Sequence, residues 1–82
     1  MSKATVNRKI LDTLIRAKVA TLTNCKGVRP LPVAWQAQDE AGRNWLVSGW
    51  TGESGAVRRC VEQMHAYLRL LSTHFQIPSE AG

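Results

Sequence analysis

No apolar run in this chain approaches the roughly 18 consecutive residues that read as a membrane-spanning helix, and no charged-then-apolar segment marks its N-terminal residues. The expected location is therefore cytoplasmic, with no membrane partner. Cysteine is scarce as well. Cys25 and Cys60 form no Cys-x-x-Cys and make no metal-ligand spacing with His65 or His74. They are expected to be reduced thiols rather than a disulfide, and neither a metal site nor a cofactor is expected. The Gly-x-x-x-x-Gly-Lys phosphate loop is missing. The two histidines have no serine, cysteine or aspartate spaced to make a nucleophile and base pair, so no catalytic residue is assigned and the chain is not expected to be an enzyme.

Acidic residues are the other shortage, six against eleven lysines and arginines. The imbalance is local. Residues 1–29 hold Lys3, Arg8, Lys9, Arg16, Lys18, Lys26 and Arg29 against Asp12 alone, seven minus one or +6, whereas residues 30–82 hold four basic and five acidic residues, or −1. A localised basic excess is the electrostatic footprint of a surface that meets a polyanion.

Eighty-two residues make one small domain, of a size that hides only about 60–65% of the surface its unfolded chain exposes. Residues 1–77 are expected to form that domain and residues 78–82 a short C-terminal tail after Pro78 stops the last helix. The clearest pattern lies in residues 51–77. At 100° per residue, Val57, Cys60, Val61, Met64, Tyr67, Leu68, Leu71 and Phe75 gather into one stripe, with Arg58, Arg59, Glu62, Gln63, His65 and Arg69 outside it. This predicts an amphipathic helix. Glu53 at its start suits the positive end of the helix dipole better than a bound anion would.

Residues 4–17 predict a second, shorter helix with an apolar arc of Val6, Ile10, Leu11, Leu14, Ile15 and Ala17. Ser2 and Thr5 are both candidate caps. Its other face carries Arg8, Lys9 and Arg16. Two readings of that face stand side by side: a solvated surface with Asp12 paired to Arg16 at i, i+4, or a surface laid along a phosphate backbone.

Between the helices, β-branched and aromatic residues recur with period two. Three strands are expected at residues 19–23, 28–38 and 44–50, separated by turns at 24–27 and 39–42, with Gly27 suited to a positive φ. Pairing Gln38 with Asn44 puts Val33, Trp35, Ala37, Trp45 and Val47 on one face. Pro30 and Pro32 are expected to point toward the third strand at or beyond its end near Trp50, where no partner remains, and so to be tolerated. The expected fold class is therefore α+β, a two-layer αβββα arrangement with a three-stranded antiparallel sheet and both helices packed on one face. The opposite face would present Ala34, Gln36, Gln38, Asn44, Leu46, Ser48 and Trp50. Trp50 there would cover the sheet edge, meet a second subunit, or stack on a ligand or base.

The run Gly27-Val28-Arg29, with Trp35, Ala37, Gly42, Trp45-Leu46, Gly49, Thr51, Glu53 and Ala56, resembles the plant ethylene-response-factor type of DNA-binding domain and the related phage-integrase arm-binding domains. The similarity spans residues 27 to about 66. It implies a three-stranded sheet, backed by one helix, lying in the major groove, with Arg29, Trp35 and Trp45 near the family's DNA-contacting positions. The family's arginine-rich second strand is replaced here by Ala34-Trp35-Gln36-Ala37-Gln38. The order of elements is also similar to that of double-stranded-RNA-binding domains, whose lysine cluster is matched only by Arg58-Arg59.

Two functions are carried forward. In the first, the chain is a small basic nucleic-acid-binding module, DNA favoured over RNA, with Arg8, Lys9, Arg16, Lys26 and Arg29 on the backbone and Gln36, Gln38, Asn44 or Trp50 touching bases. In the second, the sheet face around Trp50 meets another protein or a second copy of this chain.

Overall fold

The chain runs as β1 (Ala4–Thr5), α1 (Arg8–Thr21), a 3₁₀ turn (Thr23–Cys25), β2 (Arg29–Pro30), β3 (Val33–Trp35), β4 (Trp45–Val47), β5 (Trp50–Thr51), α2 (Ser54–His74) and β6 (Phe75–Gln76). This order comes from a computed structural model that describes residues 3–40 and 42–78. The fold is mixed α+β, with two helices and short strands that pair two by two.

Helix α1 starts at Asn7, whose Oδ1 accepts the Lys9 N–H at 2.8 Å. Asparagine is a strong N-cap because its side chain satisfies a backbone donor that the first turn leaves free. Of the two expected caps, Thr5 lies in β1 and Ser2 lies outside the described residues. The helix also runs further than expected and takes in residues 19–21 of the expected first strand. Leu11, Ile15 and Val19 lie four residues apart and are all buried, so continuing the stripe into the core outweighs the β preference of Val19. The stripe is narrower than the expected arc, leaving Ile10 half exposed at 49%.

The three-stranded sheet thus lacks its first strand, and what remains is one hairpin in two pieces. Arg29 faces Thr51, Pro30 faces Trp50, Val33 faces Val47, Ala34 faces Leu46 and Trp35 faces Trp45. The two pieces share one register but not one run of hydrogen bonds. The Leu31 N–H donates to the Gly49 carbonyl at 2.9 Å, and one residue on, the Ser48 N–H donates to Pro32 at 3.2 Å. Pro32 has no N–H to return, so the ladder breaks there. Contrary to expectation, partners remain opposite both prolines. Pro30 faces Trp50 within a strand pair, and Pro32, whose carbonyl accepts the Ser48 N–H, lies in the break between the two pieces.

The tip pairs Gln36 with Asn44, the Gln36 N–H donating to the Asn44 carbonyl at 2.9 Å, two residues from the expected pairing of Gln38 with Asn44. An even shift keeps the β3 and β4 side chains on their faces, but Trp50, expected on the open face, is half-buried and packs against the core. Val33 and Trp45 are accordingly core residues, and Trp35 and Val47 pack against them.

Asp12 replaces the missing strand at one point. Its Oδ1 accepts the Val33 N–H at 2.7 Å, tying α1 to the hairpin. The expected Asp12–Arg16 side-chain pair gives way to this bond, and Arg16 Nε donates instead to the Asp12 carbonyl at 3.3 Å.

Helix α2 begins at Glu53, whose two carboxylate oxygens accept the Gly55 and Ala56 N–H groups, each at 2.9 Å. It buries Cys60, Met64 and Leu71, with Val57, Tyr67 and Leu68 packed against the core. Helix α2 ends at His74, three residues short of the expected boundary. The chain then extends as β6, parallel to β1 with Ala4 opposite Phe75 and Thr5 opposite Gln76. Ile77 is buried. Order therefore reaches to the edge of the expected 78–82 tail, of which Pro78 is exposed and residues 79–82 lie outside the described residues.

Cys25 and Cys60 are joined in a disulfide, their Cα atoms 4.6 Å apart, which corrects the expectation of reduced thiols. No local spacing announces the bond. It follows from the chain path, which sets the 3₁₀ turn against the buried stripe of α2.

Replacing both cysteines by serine removes a cross-link across 35 residues, worth about 3–4 kcal/mol if it acts through the entropy of the unfolded chain. Equilibrium urea unfolding checks this: the wild-type midpoint should fall to the variant's value on adding reductant, and equal midpoints without reductant would contradict it. A pH test applies to Glu53, whose carboxyl is held below the usual carboxylate range by the Gly55 N–H, then the Ala56 N–H, with a smaller contribution from Arg59. Because the folded value is the lower one, the cap stabilises above the unfolded glutamate value of about 4.3 and is lost as pH falls through the folded value. The difference in urea midpoint between wild type and Glu53→Ala should be present at neutral pH and vanish in strong acid.

Candidate nucleic-acid interface

An open groove of about 730 Å³ lies where α1 gives way to the hairpin. Its position follows from a short pattern of burial. The Leu22 N–H donates to the Val19 carbonyl and closes α1. The 3₁₀ turn then sinks Cys25 to its bond with Cys60, leaves Lys26 and Gly27 exposed, sinks Val28 and exposes Arg29. Gly27 takes φ +79°, as expected, a conformation that costs glycine little. Gly52, at φ +141°, lies against it, and a Cβ there would sit 3.1 Å from the Gly27 carbonyl oxygen. A side chain at that position would push apart the turn and the start of α2.

Three cations border the groove: Arg16 from α1, Lys26 from the turn and Arg29 from β2. All three are exposed. Val19, Ala20, Leu22, Val28 and Pro30 contribute an aliphatic lining, and no carboxylate of the described residues lies among the lining groups. Elements separated in sequence therefore turn like charges toward one concavity, an arrangement that concentrates anions.

The other two expected backbone contacts lie elsewhere. Lys9 is exposed on α1, seven residues or nearly two turns from Arg16, so it shares the same side of the helix without lining the groove. Arg8 lines a separate hollow of about 280 Å³ beside Asn7, Ile77 and Pro78. Lys18 sits over the Tyr67 ring, 5.4 Å from its centroid, a cation–π contact.

The expected base contacts lie at the tip and along the hairpin. Gln36 Nε2 donates to the Arg43 carbonyl at 3.0 Å and to Asp39 Oδ2 at 3.2 Å. Gln38 Nε2 donates to the Gly42 carbonyl at 3.0 Å. Asn44 uses both ends of its amide on one residue, with Nδ2 donating to the Ile77 carbonyl at 2.7 Å and Oδ1 accepting the Ile77 N–H at 3.2 Å. Trp50 is half-buried and packs against the core. Trp45, near a DNA-contacting position of the resembled family, is 1% exposed and donates its Nε1–H to the Phe75 carbonyl at 3.1 Å.

The groove itself was hidden from sequence reading, because residues 19–23 read as strand and so did not place Arg16 beside Lys26. The spacing Cys25, Val28 with Lys26 and Arg29 between and after them was the available signal. Comparison with protein-family models, curated proteins and solved structures finds no match.

Asn44→Ala removes both bonds to Ile77 and leaves partly buried backbone groups unpaired. It should cost about 1–3 kcal/mol, read as a lower urea midpoint, while a stability within error of wild type would show that Ile77 is held by packing alone.

Proposed function

We propose that this chain is a small nucleic-acid-binding module without catalytic activity, DNA favoured over RNA, that takes phosphates into the groove bordered by Arg16, Lys26 and Arg29. The observation that carries this reading is the convergence of those three cations, from a helix, a turn and a strand, on one hollow whose described lining has no carboxylate. Lys9 lies on the same side of α1 but outside the groove. The competing role, a protein interface on the sheet around Trp50, draws less support because the Trp50 ring is packed against the core.

A cytoplasmic setting remains part of the proposal; among the described residues no helix is long and apolar enough to cross a membrane. The disulfide must then survive a reducing medium. Its burial favours survival, Cys25 being 2% and Cys60 0% exposed, because a thiolate must reach a sulfur to reduce it.

Fluorescence anisotropy of a labelled duplex across a salt series tests the reading. Three neutralised phosphates give a slope of log K against log salt of about −2.7. The combined Arg16→Gln, Lys26→Gln, Arg29→Gln variant should lose nearly all binding. No binding by wild type at low salt, or equal binding by the variant, would overturn it.

A further inference from the structure

We propose that the groove receives one unpaired base, held against its aliphatic floor while the cations at the rim take the flanking phosphates. A duplex with a base displaced from its stack is then bound more tightly than an unbroken one. The inference rests on the nucleic-acid reading above and names the part of the ligand that enters.

Phosphate binding accounts for Arg16, Lys26 and Arg29 and leaves the surface between them without a role. That surface is aliphatic, made by Val19, Ala20, Leu22, Val28 and Pro30. A phosphate gains nothing there, because apolar carbon offers its oxygens no donor to replace the water they would lose. A base does gain. Its two faces are the least polar part of a nucleotide, and withdrawing them from water is favourable.

Shape points the same way. The hollow of about 730 Å³ falls within the roughly 300–1,000 Å³ of sites that hold small molecules, room enough for a base with its sugar. A paired base cannot enter it. In a duplex the base edges lie at the bottom of a groove about 8.5 Å deep, where a side chain from the rim can reach them but a recess cannot receive them. An unpaired base projects from its backbone and can be lodged.

The floor is fixed before any ligand arrives. Val19, Cys25 and Val28 are buried, and Cys25 is tied to α2 through Cys60, so seating a base orders little of the protein and less of the gain is lost to entropy. The rim adds planar groups. The guanidiniums of Arg16 and Arg29 belong to exposed residues bordering the hollow and can stack on a base lodged there or pair with its edge.

Three 20-base-pair DNA duplexes test this by fluorescence anisotropy across a salt series: one unbroken, one with a single extra thymidine at its centre, and one with an abasic nucleotide in that place. The thymidine bulge should bind at least about tenfold more tightly than the other two, the worth of burying about two methylene groups, and the abasic bulge within about threefold of the unbroken duplex. Because the base neutralises no further phosphate, the two bulged duplexes should share one salt slope. In methyl-labelled protein, the resonances of Val19, Leu22 and Val28 should shift on adding the thymidine bulge and much less on adding the abasic one. Equal affinity for the two bulges, or a thymidine preference with those methyl resonances unmoved, would overturn this inference while leaving the nucleic-acid reading standing. No binding to any of the three duplexes would overturn both.

Discussion

The Cys25–Cys60 bond is the constraint on which the rest of the arrangement depends. A chain of this length buries a small core, here centred on Leu11, Ile15, Trp45, Cys60 and Met64, and such cores leave little margin over chain entropy. The bridge joins the turn after α1 to the buried stripe of α2 and so fixes how the first half of the chain lies on the second. It also decides which way the neighbouring side chains point. With Cys25 and Val28 drawn inward, Lys26 and Arg29 are left facing solvent beside Arg16. The element that stabilises the domain thereby shapes its charged groove.

The two ends of the hairpin are used differently. At the tip, polar groups are consumed locally: Asp39 accepts the Arg43 N–H at 2.9 Å, Lys3 Nζ reaches the Gly42 carbonyl at 2.6 Å, and Asn44 holds Ile77. Strands β1 and β6 pair beside them, so residues near both termini and the tip are knitted into one region. At the open end, Gly27 and Gly52 bring the turn and the start of α2 into contact, and the charges there are exposed. Internal satisfaction at one end and unspent charge at the other is the division expected of a scaffold that carries a binding surface.

Helix α2 was legible almost in full, since a 3.6-residue period sustained over five turns has few competing interpretations. The faces of β3 and β4 were legible too, and they survived an error of two residues in register because side chains alternate with a period of two; Trp50, past the break in the ladder, was expected on the open face and packs against the core. The first strand was misread. Val19 and Thr21 favour strands by residue type, but Val19 also lies four residues after Ile15, and the buried position prevailed. The disulfide and the groove went unread for one shared reason: both depend on where residues 22–30 cross the helices, a path that the spacing of Cys25 and Val28 with Lys26 and Arg29 hints at but does not encode. The amides on the hairpin were visible as polar residues on a strand, but their partners, Gly42, Arg43 and Ile77, depend on the tip and on the chain returning after α2.

We propose that the groove between α1 and the hairpin, rather than the hairpin tip, is where this protein meets its ligand. Titrating an unlabelled duplex into ¹⁵N-labelled protein and following backbone amide resonances tests it most directly. The amides of Arg16, Ala20, Lys26, Gly27 and Arg29 should shift in proportion to bound duplex while those of Gln36, Gln38 and Asn44 stay in place. Shifts concentrated at the tip, with the groove amides unmoved, would contradict it.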